Sequence, residues 1–278
     1  MGASTGLGIR RRIVHVHNAD ELLPTPSRLK DRLLREPLRR LGLRADRVVG
    51  ISDHTLETYL DGRPRRPGRD IVHYYGVDPA PFRQERSAHD RGRFRAALGL
   101  PPDALILLFG GRLTPEKNPL FTVDVLAELR RQEPRTVGVF AGAGSLEGAV
   151  LERAAELQVT DAVRMLGWRN DLHEIMMASD WFILPRPERP LEGFRLAVVE
   201  AQLAGLRMLL SPGVPDDPLL PSAVFGRIPL AAGPKAWADA ASDMLRGREP
   251  SAAAALADLS ASAMQLDTAL AGLAALHG

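Results

Sequence analysis

The amino-acid sequence predicts an α/β protein whose main unit is a doubly wound parallel sheet. Three observations lead to this fold class. Residues 105–109 form a continuous apolar run, which is typical of a strand that is buried on both faces. Gly110 and Gly111 turn the chain after this run. Between residues 104 and 211, similar runs alternate with helical segments, and this β-α order predicts parallel strands joined by helices.

The strands and helices follow from the spacing of apolar residues and from their end signals. Strands are predicted at residues 12–17, 47–51, 71–75, 105–109, 136–141, 163–166, 181–184 and 207–211. Helices are predicted at residues 27–43, 52–60, 90–98, from 119 onward, 145–157, 171–179, 195–204 and in the tail from 235. Ser52 and Asn118 are the expected N-caps of their helices, and Pro37 is expected to break or kink the first helix.

Composition excludes several classes of protein. The chain has 278 residues, of which 45% are hydrophobic and 25% charged, which excludes collagen-like, coiled-coil and wholly disordered chains. Its length is sufficient for two modest cores or one large one. No apolar run reaches the roughly 18 residues that a membrane span needs. The absence of cysteine excludes disulfides, zinc-thiolate sites and cysteine nucleophiles, and it is consistent with a cytoplasmic location.

Charge divides the chain into a basic and an acidic part. Residues 1–100 contain 20 Lys and Arg against 12 Asp and Glu, whereas the remainder contains 16 against 22. The basic part has no aromatic interleaving and no helix-turn-helix or RNA-binding signature, so we expect no nucleic-acid partner. The basic helix at 27–43 has three open interpretations. It would dock peripherally on an anionic membrane, present a solvated face while it packs on the core, or carry an apolar stripe that packs on strands missing from a truncated chain.

Two glutamates after the strand at 181–184 form the strongest chemical pattern. Glu192 is placed in the loop and Glu200 inside the next helix. Ligands bind at the carboxyl ends of strands in such sheets, and free N–H groups at a helix start can hold phosphate. We expect the backbone at 194–196 to face phosphate and Glu200 to accept hydrogen bonds from ribose hydroxyls. The alternative is that both glutamates are solvated surface residues.

A second pattern follows the strand at 105–109. Arg112 offers a planar guanidinium and Lys117 a point charge, five residues apart across a tight turn. Together they would neutralise a diphosphate and the charge that develops on it as a leaving group. The alternative is a surface loop with two solvated cations.

Together, these motifs resemble one family. Residues 105–218 resemble the nucleotide-sugar-binding domain of the retaining glycosyltransferases with the GT-B fold, in family 4. The resemblance rests on four segments in order: GGRLTPEKN, FAGAGSLEGAVLERAAEL, VRMLGWRNDLHEIMMASDWFILP and LEGFRLAVVEAQLAGLRMLLSP. The segments RIVHVHN and MQLDTALAGLAAL also resemble members of the polysaccharide-biosynthesis subgroup.

The resemblance implies an activity. It implies transfer of a hexosyl group from a UDP- or GDP-linked sugar to a glycan or lipid-linked acceptor, with retention of configuration. No metal or other cofactor is implied, and the expected location is cytoplasmic, with peripheral contact at the inner face of the membrane.

The resemblance also implies roles for individual residues. Glu192, Arg112 and Lys117 would be catalytic. The donor-binding residues would be Gly111, Arg112, Lys117, Gly142, Gly144, Trp168, Arg169, Glu192, Gly193, Phe194, Arg195, Leu196 and Glu200. Two positions depart from the family pattern: Arg195 stands where relatives have a small residue or proline, and Tyr75 where they have asparagine.

Compared with the family, we expect three parts in this chain. Residues 1–88 would be a partial acceptor-side domain that lacks its first half. Residues 89–234 would be the donor-binding domain, and residues 235–278 helices that cap it and cross back. The competing hypothesis is a catalytically defective fragment that only binds nucleotide or a partner chain.

The sequence contains two weaker signals, a pair of histidines and an incomplete glycine pattern. His15 and His17 share one side of the predicted strand and would be hydrogen-bonded core residues or line the acceptor side; no third metal ligand accompanies them. Gly142 and Gly144 lack the third glycine of a dinucleotide fingerprint, since Glu147 occupies its place.

Overall fold

The large sheet of the protein has six parallel strands. A computed structural model of the chain describes residues 11–17, 40, 42–83, 88–188 and 194–278. The six strands are β4 (Leu105–Gly110), β5 (Thr136–Ala141), β6 (Val163–Gly167), β7 (Trp181–Leu184), β8 (Arg207–Leu210) and β9 (Phe225–Arg227). Their order is β6-β5-β4-β7-β8-β9, so the direction of winding reverses between β4 and β7. This is the doubly wound arrangement that the sequence predicts.

A second, smaller sheet has three parallel strands within the described residues. They are β1 (Ile13–Val16), β2 (Arg47–Gly50) and β3 (Asp70–Val72), hydrogen-bonded in that order. The described helices are α1 (Asp53–Leu60), α2 (Ala88–Ala97), α3 (Pro119–Gln132), α4 (Glu147–Glu156), α5 (Leu172–Ala178), α6 (Leu196–Leu203), α7 (Gly233–Arg246), α8 (Ala252–Ser260) and α9 (Leu266–His277). None of these helices has the length and apolar character that a membrane crossing requires.

The large sheet has a hydrophobic core on each face. Successive residues of β4 point to opposite faces, so Leu107 joins one buried cluster and Leu108 the other. Trp181 and Trp237 lie in the first cluster with the helices α3, α4 and α7. The second cluster includes Met176 of α5. Every residue of β4 is buried, which explains its continuous apolar run.

The small sheet has a much smaller core of its own. Its buried cluster is formed by Val16, Val48, Leu56 and Leu60, which join β1 and β2 to helix α1. Ser52 caps α1 as the sequence predicts, because its Oγ accepts a hydrogen bond from the backbone N–H of Thr55 at 3.0 Å.

The two sheets are joined by an interface cluster and by the last helices of the chain. Ten buried residues from both parts form this cluster: Ile51, Val77, Phe82, Phe194, Val199, Leu203, Leu220, Ala255, Leu259 and Met264. A carboxylate oxygen of Asp217, between β8 and β9, accepts a hydrogen bond of 3.0 Å from the N–H of Asp53 at the start of α1.

Helix α9 docks on the small sheet by its C-terminal end. Arg47 Nη1 donates to the carbonyl oxygens of Leu276 at 2.7 Å and of Ala275 at 3.2 Å, and Arg11 Nη1 donates to Leu276 at 3.3 Å. The last carbonyls of a helix have no partner within the helix, and a cation is favourable there. The two arginines therefore tie the end of the chain to its beginning.

The structure corrects one local expectation and adds detail to others. Asn118 precedes α3 but is not a side-chain N-cap; its backbone is left-handed, and its amide donates instead to the carbonyl of Pro185 at 3.0 Å. The tail forms three helices, which begin at Gly233, Ala252 and Leu266. The sequence did not predict β9. Most of the predicted helix at 27–43 lies outside the described residues.

Candidate functional site

Backbone hydrogen bonds hold together the loops that follow β4, β5 and β6. The N–H of Gly111 donates to the carbonyl of Ala141 at 3.0 Å, and the N–H of Gly142 donates to that of Gly167 at 2.8 Å. These bonds continue the sheet pairing past the last strand residues. The loops therefore form one rigid floor at the carboxyl edge of the sheet.

Glycine is required in this floor by close packing of the backbone. A Cβ on Gly142 would lie 1.9 Å from the carbonyl oxygen of Gly111, and its φ of +150° also disfavours a side chain. A Cβ on Gly144 would lie 2.3 Å from the carbonyl oxygen of Leu113. Both glycines therefore let neighbouring loops approach each other.

A cavity of about 420 Å³ lies above this floor, beside the point where the winding reverses. We call it the donor cavity. Nine residues that the sequence predicts as donor-binding line it: Gly111, Arg112, Gly142, Trp168, Arg169, Phe194, Arg195, Leu196 and Glu200. They come from four separate stretches of the chain, which the parallel sheet brings to one edge.

Four predicted site residues are not among those that line the donor cavity. Lys117 is buried in the 3₁₀ turn Pro115–Lys117, only 2% exposed, and Gly144 lies in the loop contact described above. Glu192 and Gly193 lie outside the described residues.

Two guanidinium groups give the cavity positive charge. Arg112 forms an ion pair of 3.4 Å with Glu116, and its side chain remains 60% exposed. Burial opposes ionisation of Glu116, but hydrogen bonds and the charges of Arg112 and Lys117 outweigh it, so the pKa of Glu116 is lowered. An Nη atom of Arg195 lies 3.2 Å from the position that a Cβ on Gly111 would occupy. Arg195 thus reaches across the cavity from the start of α6 to the loop after β4.

Glu200 is the carboxylate of the cavity. Burial raises the pKa of Glu200, and the charges of His173 and Arg195 offset this only in part. A buried carboxylate of raised pKa is a good acceptor for neutral hydroxyl donors, because each hydrogen bond to its charged form replaces lost hydration.

The opposite rim of the cavity is aromatic. The indole of Trp168 is the most exposed large hydrophobic group in the described part of the chain, at 77%. The neighbouring guanidinium of Arg169 is bound to Asp171 at 2.8 and 2.5 Å, which lowers the pKa of Asp171. Arg169 therefore orients the turn that carries Trp168.

Sequence reasoning missed three residues of the site. Tyr75 and Leu172 line the donor cavity, and the charge of His173 acts on Glu200. Tyr75 belongs to the small-sheet part yet lines the donor cavity, and its ring contacts Phe194 edge-on with centroids 6.0 Å apart. Burial raises its pKa. Its departure from the family pattern drew attention to the position, but only the structure shows the contact with the large-sheet part.

Known proteins share this arrangement of motifs. Residues 90–216 match the family of group 1 glycosyl transferases. The matched segment runs from α2 to just before Asp217, and it contains every described residue that lines the donor cavity except Tyr75.

Similarity to curated relatives extends beyond this segment. The chain is 29% identical to the putative glycosyltransferase EpsF of Bacillus subtilis over 234 residues, which cover 84% of this chain and 59% of EpsF. It is 34% identical to an Escherichia coli UDP-Gal:alpha-D-GlcNAc-diphosphoundecaprenol alpha-1,3-galactosyltransferase, over 41% of this chain and 30% of that enzyme. The chain thus spans less than two thirds of the length of these relatives.

A solved structure shows the fold. Anabaena Alr3699/HepE in complex with UDP superposes with a TM-score of 0.75 at 19% identity, over 95% of this chain and 71% of that one. The GT-B-like fold class is therefore confirmed. In the described residues, no group of three or more His, Cys, Asp or Glu side chains could hold a metal ion.

Proposed function

We propose that this protein transfers a hexosyl group from a nucleotide-diphosphate sugar to a glycan or lipid-linked acceptor, with retention of configuration. The observation that carries the proposal is the donor cavity, where Arg112, Arg195 and Glu200 meet above the glycine floor. The group 1 match and the UDP complex of HepE support a nucleotide donor. The name of the Escherichia coli relative supports a lipid-linked acceptor.

The proposal assigns each part of a nucleotide-sugar to a group in the cavity or in the motifs around it. The diphosphate would be bound by Arg112 and Arg195 and by backbone N–H groups before α6. The ribose hydroxyls would donate to Glu200. The exposed indole of Trp168 would cover the nucleoside at the rim. Glu192, which precedes α6 in the sequence, is proposed to hold the transferred sugar, and Lys117 to add positive charge behind the diphosphate.

The proposed reaction exchanges one bond to the sugar for another on the same face. The bond between the anomeric carbon and the diphosphate oxygen breaks, and the acceptor oxygen forms the new bond. The proton of the acceptor hydroxyl passes to the leaving phosphate oxygen. The guanidinium groups stabilise the negative charge that develops on this phosphate, and such stabilisation accelerates the step because it is strongest in the transition state.

Nucleotide binding tests the first half of the proposal. Calorimetric titration with UDP and with GDP should detect binding of at least one of them. Arg112→Ala should weaken it by about tenfold, because a hydrogen bond to a charged group contributes about 1.5–3 kcal/mol. Arg131→Ala is the matched control, since Arg131 pairs with Glu128 on the surface of α3. Absence of binding by both nucleotides would overturn the proposal.

Turnover tests the second half. Slow hydrolysis of a UDP- or GDP-linked hexose, or transfer to an added acceptor, should occur and should be abolished by Glu192→Ala. Nucleotide binding without either reaction would favour the competing proposal, a chain that binds nucleotide but transfers nothing.

The basic segment at 27–43 supports a peripheral position on an anionic membrane. Co-sedimentation with vesicles that contain phosphatidylglycerol, but not with vesicles of phosphatidylcholine alone, is the expected result. Equal binding to both would contradict it.

A further inference from the structure

A second cavity, of about 340 Å³, lies between the small sheet and helix α9. We call it the histidine cavity because four histidines line it: His15 and His17 from β1 and the residue after it, His73 after β3, and His277 at the end of α9. Chain segments more than 190 residues apart in sequence contribute these side chains. The cavity therefore exists only when α9 is docked.

The imidazoles are packed against one another. The Nε2 atoms of His15 and His277 are 3.2 Å apart, and their rings stack with centroids at 5.4 Å. The ring of His17 also stacks with that of His15, with centroids 6.1 Å apart. His73 Nε2 donates to the carbonyl oxygen of Ala269 at 2.9 Å. At most one proton can lie between His15 and His277 without forcing two N–H groups to face each other.

Among the described residues, no Asp or Glu side chain lines this cavity. The titratable residues that line the cavity in the described part of the chain are the four histidines and Tyr75, and none is acidic. Arg11 and Arg47 bring two further cations to the end of α9, and Asp267, at its start, accepts a hydrogen bond from Gln265. Burial, followed by the charges of His277, His17 and His73, lowers the pKa of His15.

The wall opposite the imidazoles is apolar. Leu266, Leu270 and Leu273 of α9 line it, and Leu270 is 54% exposed despite its size. At the inner end, Tyr75 lines both this cavity and the donor cavity, and its hydroxyl lies 2.5 Å from His17 Nδ1. The histidine cavity is thus lined by imidazoles on one side and by apolar side chains on the other, and it is adjacent to the donor cavity.

We propose that the histidine cavity binds an anion that carries an apolar group, of the class of an alkyl or lipid phosphate. The imidazole N–H groups would donate to the anion's oxygens, and the apolar group would cover Leu270. A bound negative charge beside His15 would favour its charged form, so binding should raise the pKa of His15 and take up a proton. The inference rests on this cavity alone, so it can fail while nucleotide binding in the donor cavity succeeds.

The experiment uses the full chain and four probes: n-hexyl sulfate, n-hexyl phosphate, inorganic phosphate and n-hexanol. Hexyl sulfate keeps a single negative charge at all relevant pH values, so any pH dependence reports the protein. Calorimetry should show at least fivefold tighter binding of hexyl sulfate at pH 6 than at pH 8. Titration in two buffers of different ionisation enthalpy should show proton uptake. Affinity should rise by about threefold for each methylene added to the alkyl chain.

Two variants and a control locate the binding. His15→Gln with His277→Gln should weaken hexyl sulfate binding at least tenfold and remove its pH dependence. Leu270→Ser, at an exposed position that folding tolerates, should weaken hexyl phosphate at least threefold and leave inorganic phosphate unchanged. His54→Gln, on α1 and outside the cavity, should change neither. All three should bind UDP as the unaltered chain does.

Three results would overturn the proposal. Hexanol binding as tightly as hexyl sulfate would show that charge plays no part. Hexyl sulfate binding that is unchanged between pH 6 and pH 8 would show that the histidines do not bind the anion. Inorganic phosphate binding as tightly as hexyl phosphate would identify the ligand as free phosphate and exclude a role for the leucine wall.

Discussion

The donor cavity and the histidine cavity meet at Tyr75 but are built in different ways. The donor cavity rests on loops at the edge of the large sheet, whose backbones are hydrogen-bonded to one another. The histidine cavity consists of side chains from the small sheet that a helix from the far end of the chain encloses. The first depends on short motifs and the second on a long-range contact. The difference teaches that two adjacent sites can have separate structural supports.

The same contrast applies to packing. The large sheet has a hydrophobic cluster on each face. Among the described residues, the small sheet has four buried residues in its own cluster and shares the interface cluster. All three tryptophans lie in the large-sheet part and all three tyrosines, Tyr59, Tyr74 and Tyr75, in the small-sheet part. Fluorescence can therefore follow the two parts separately.

Core truncations should separate the two parts most clearly. Leu108→Ala should lower the free energy of unfolding by about 3 kcal/mol, because it leaves a cavity in a fully buried position. Urea denaturation followed by tryptophan fluorescence measures this. Leu56→Ala, equally buried in the small-sheet part, should shift the tyrosine signal to lower urea and leave the tryptophan transition in place. If both variants moved both signals together, the two parts would unfold as one.

The glycine floor should be the most sensitive part of the donor cavity. Gly142→Ala should destabilise the protein by about 2 kcal/mol through backbone strain and weaken UDP binding at least tenfold. Gly148→Ala is the control, because Gly148 lies in α4 with open space where its Cβ would be. It should stabilise the helix by about 0.5 kcal/mol. If Gly142→Ala bound UDP as tightly as the unaltered chain, UDP binding would not depend on a rigid glycine floor.

The docking of α9 should depend on Arg47. Arg47→Ala removes hydrogen bonds to two terminal carbonyls and a favourable charge, and we expect a loss of about 1 kcal/mol. Hydrogen exchange should accelerate in α9 and in the small sheet but not in β4 or β5. Faster exchange throughout the large sheet would show that the donor cavity and the histidine cavity do not have separate structural supports.

The smallest effect is expected from Glu200→Gln and depends on pH. Burial raises the folded pKa of Glu200 above its unfolded value, so the protonated form is favoured in the native state. The stabilising contribution of protonated Glu200 is complete below the unfolded pKa of about 4.3 and is lost as pH rises through the folded pKa. The glutamine variant should therefore match the unaltered protein at pH 4 and exceed its stability by less than about 1 kcal/mol at pH 8. Thermal melts at both pH values measure this difference in stability. A glutamine variant that is less stable than the unaltered protein at pH 8 would contradict the raised pKa of Glu200.

Sequence reasoning succeeds where the signal is local. The apolar run of β4 and the capping of α1 by Ser52 depend on neighbouring residues, and the structure confirms both. Asn118 fails as an N-cap because the carbonyl of Pro185, in the loop after β7, offers its amide another partner. That contact joins residues 67 positions apart, which no local pattern can reveal.

The candidate sites divide in the same way. Nine of the predicted donor-binding residues lie together because they follow successive strands of one sheet, a rule that applies to any sequence of this class. Tyr75 and His277 could not be assigned, since their positions depend on how the small sheet and α9 pack. Alternation correctly places His15 and His17 on one side of β1, but it does not indicate what faces them.

The return of α9 to the small sheet also affects how the protein is made. A ribosome completes β1, β2 and β3 long before it reaches residues 266–277, so the small sheet must wait for its covering helix while the large sheet forms. During that interval its apolar surface is exposed to chaperones and to other nascent chains. A tag fused after Gly278 would sit where Arg11 and Arg47 bind.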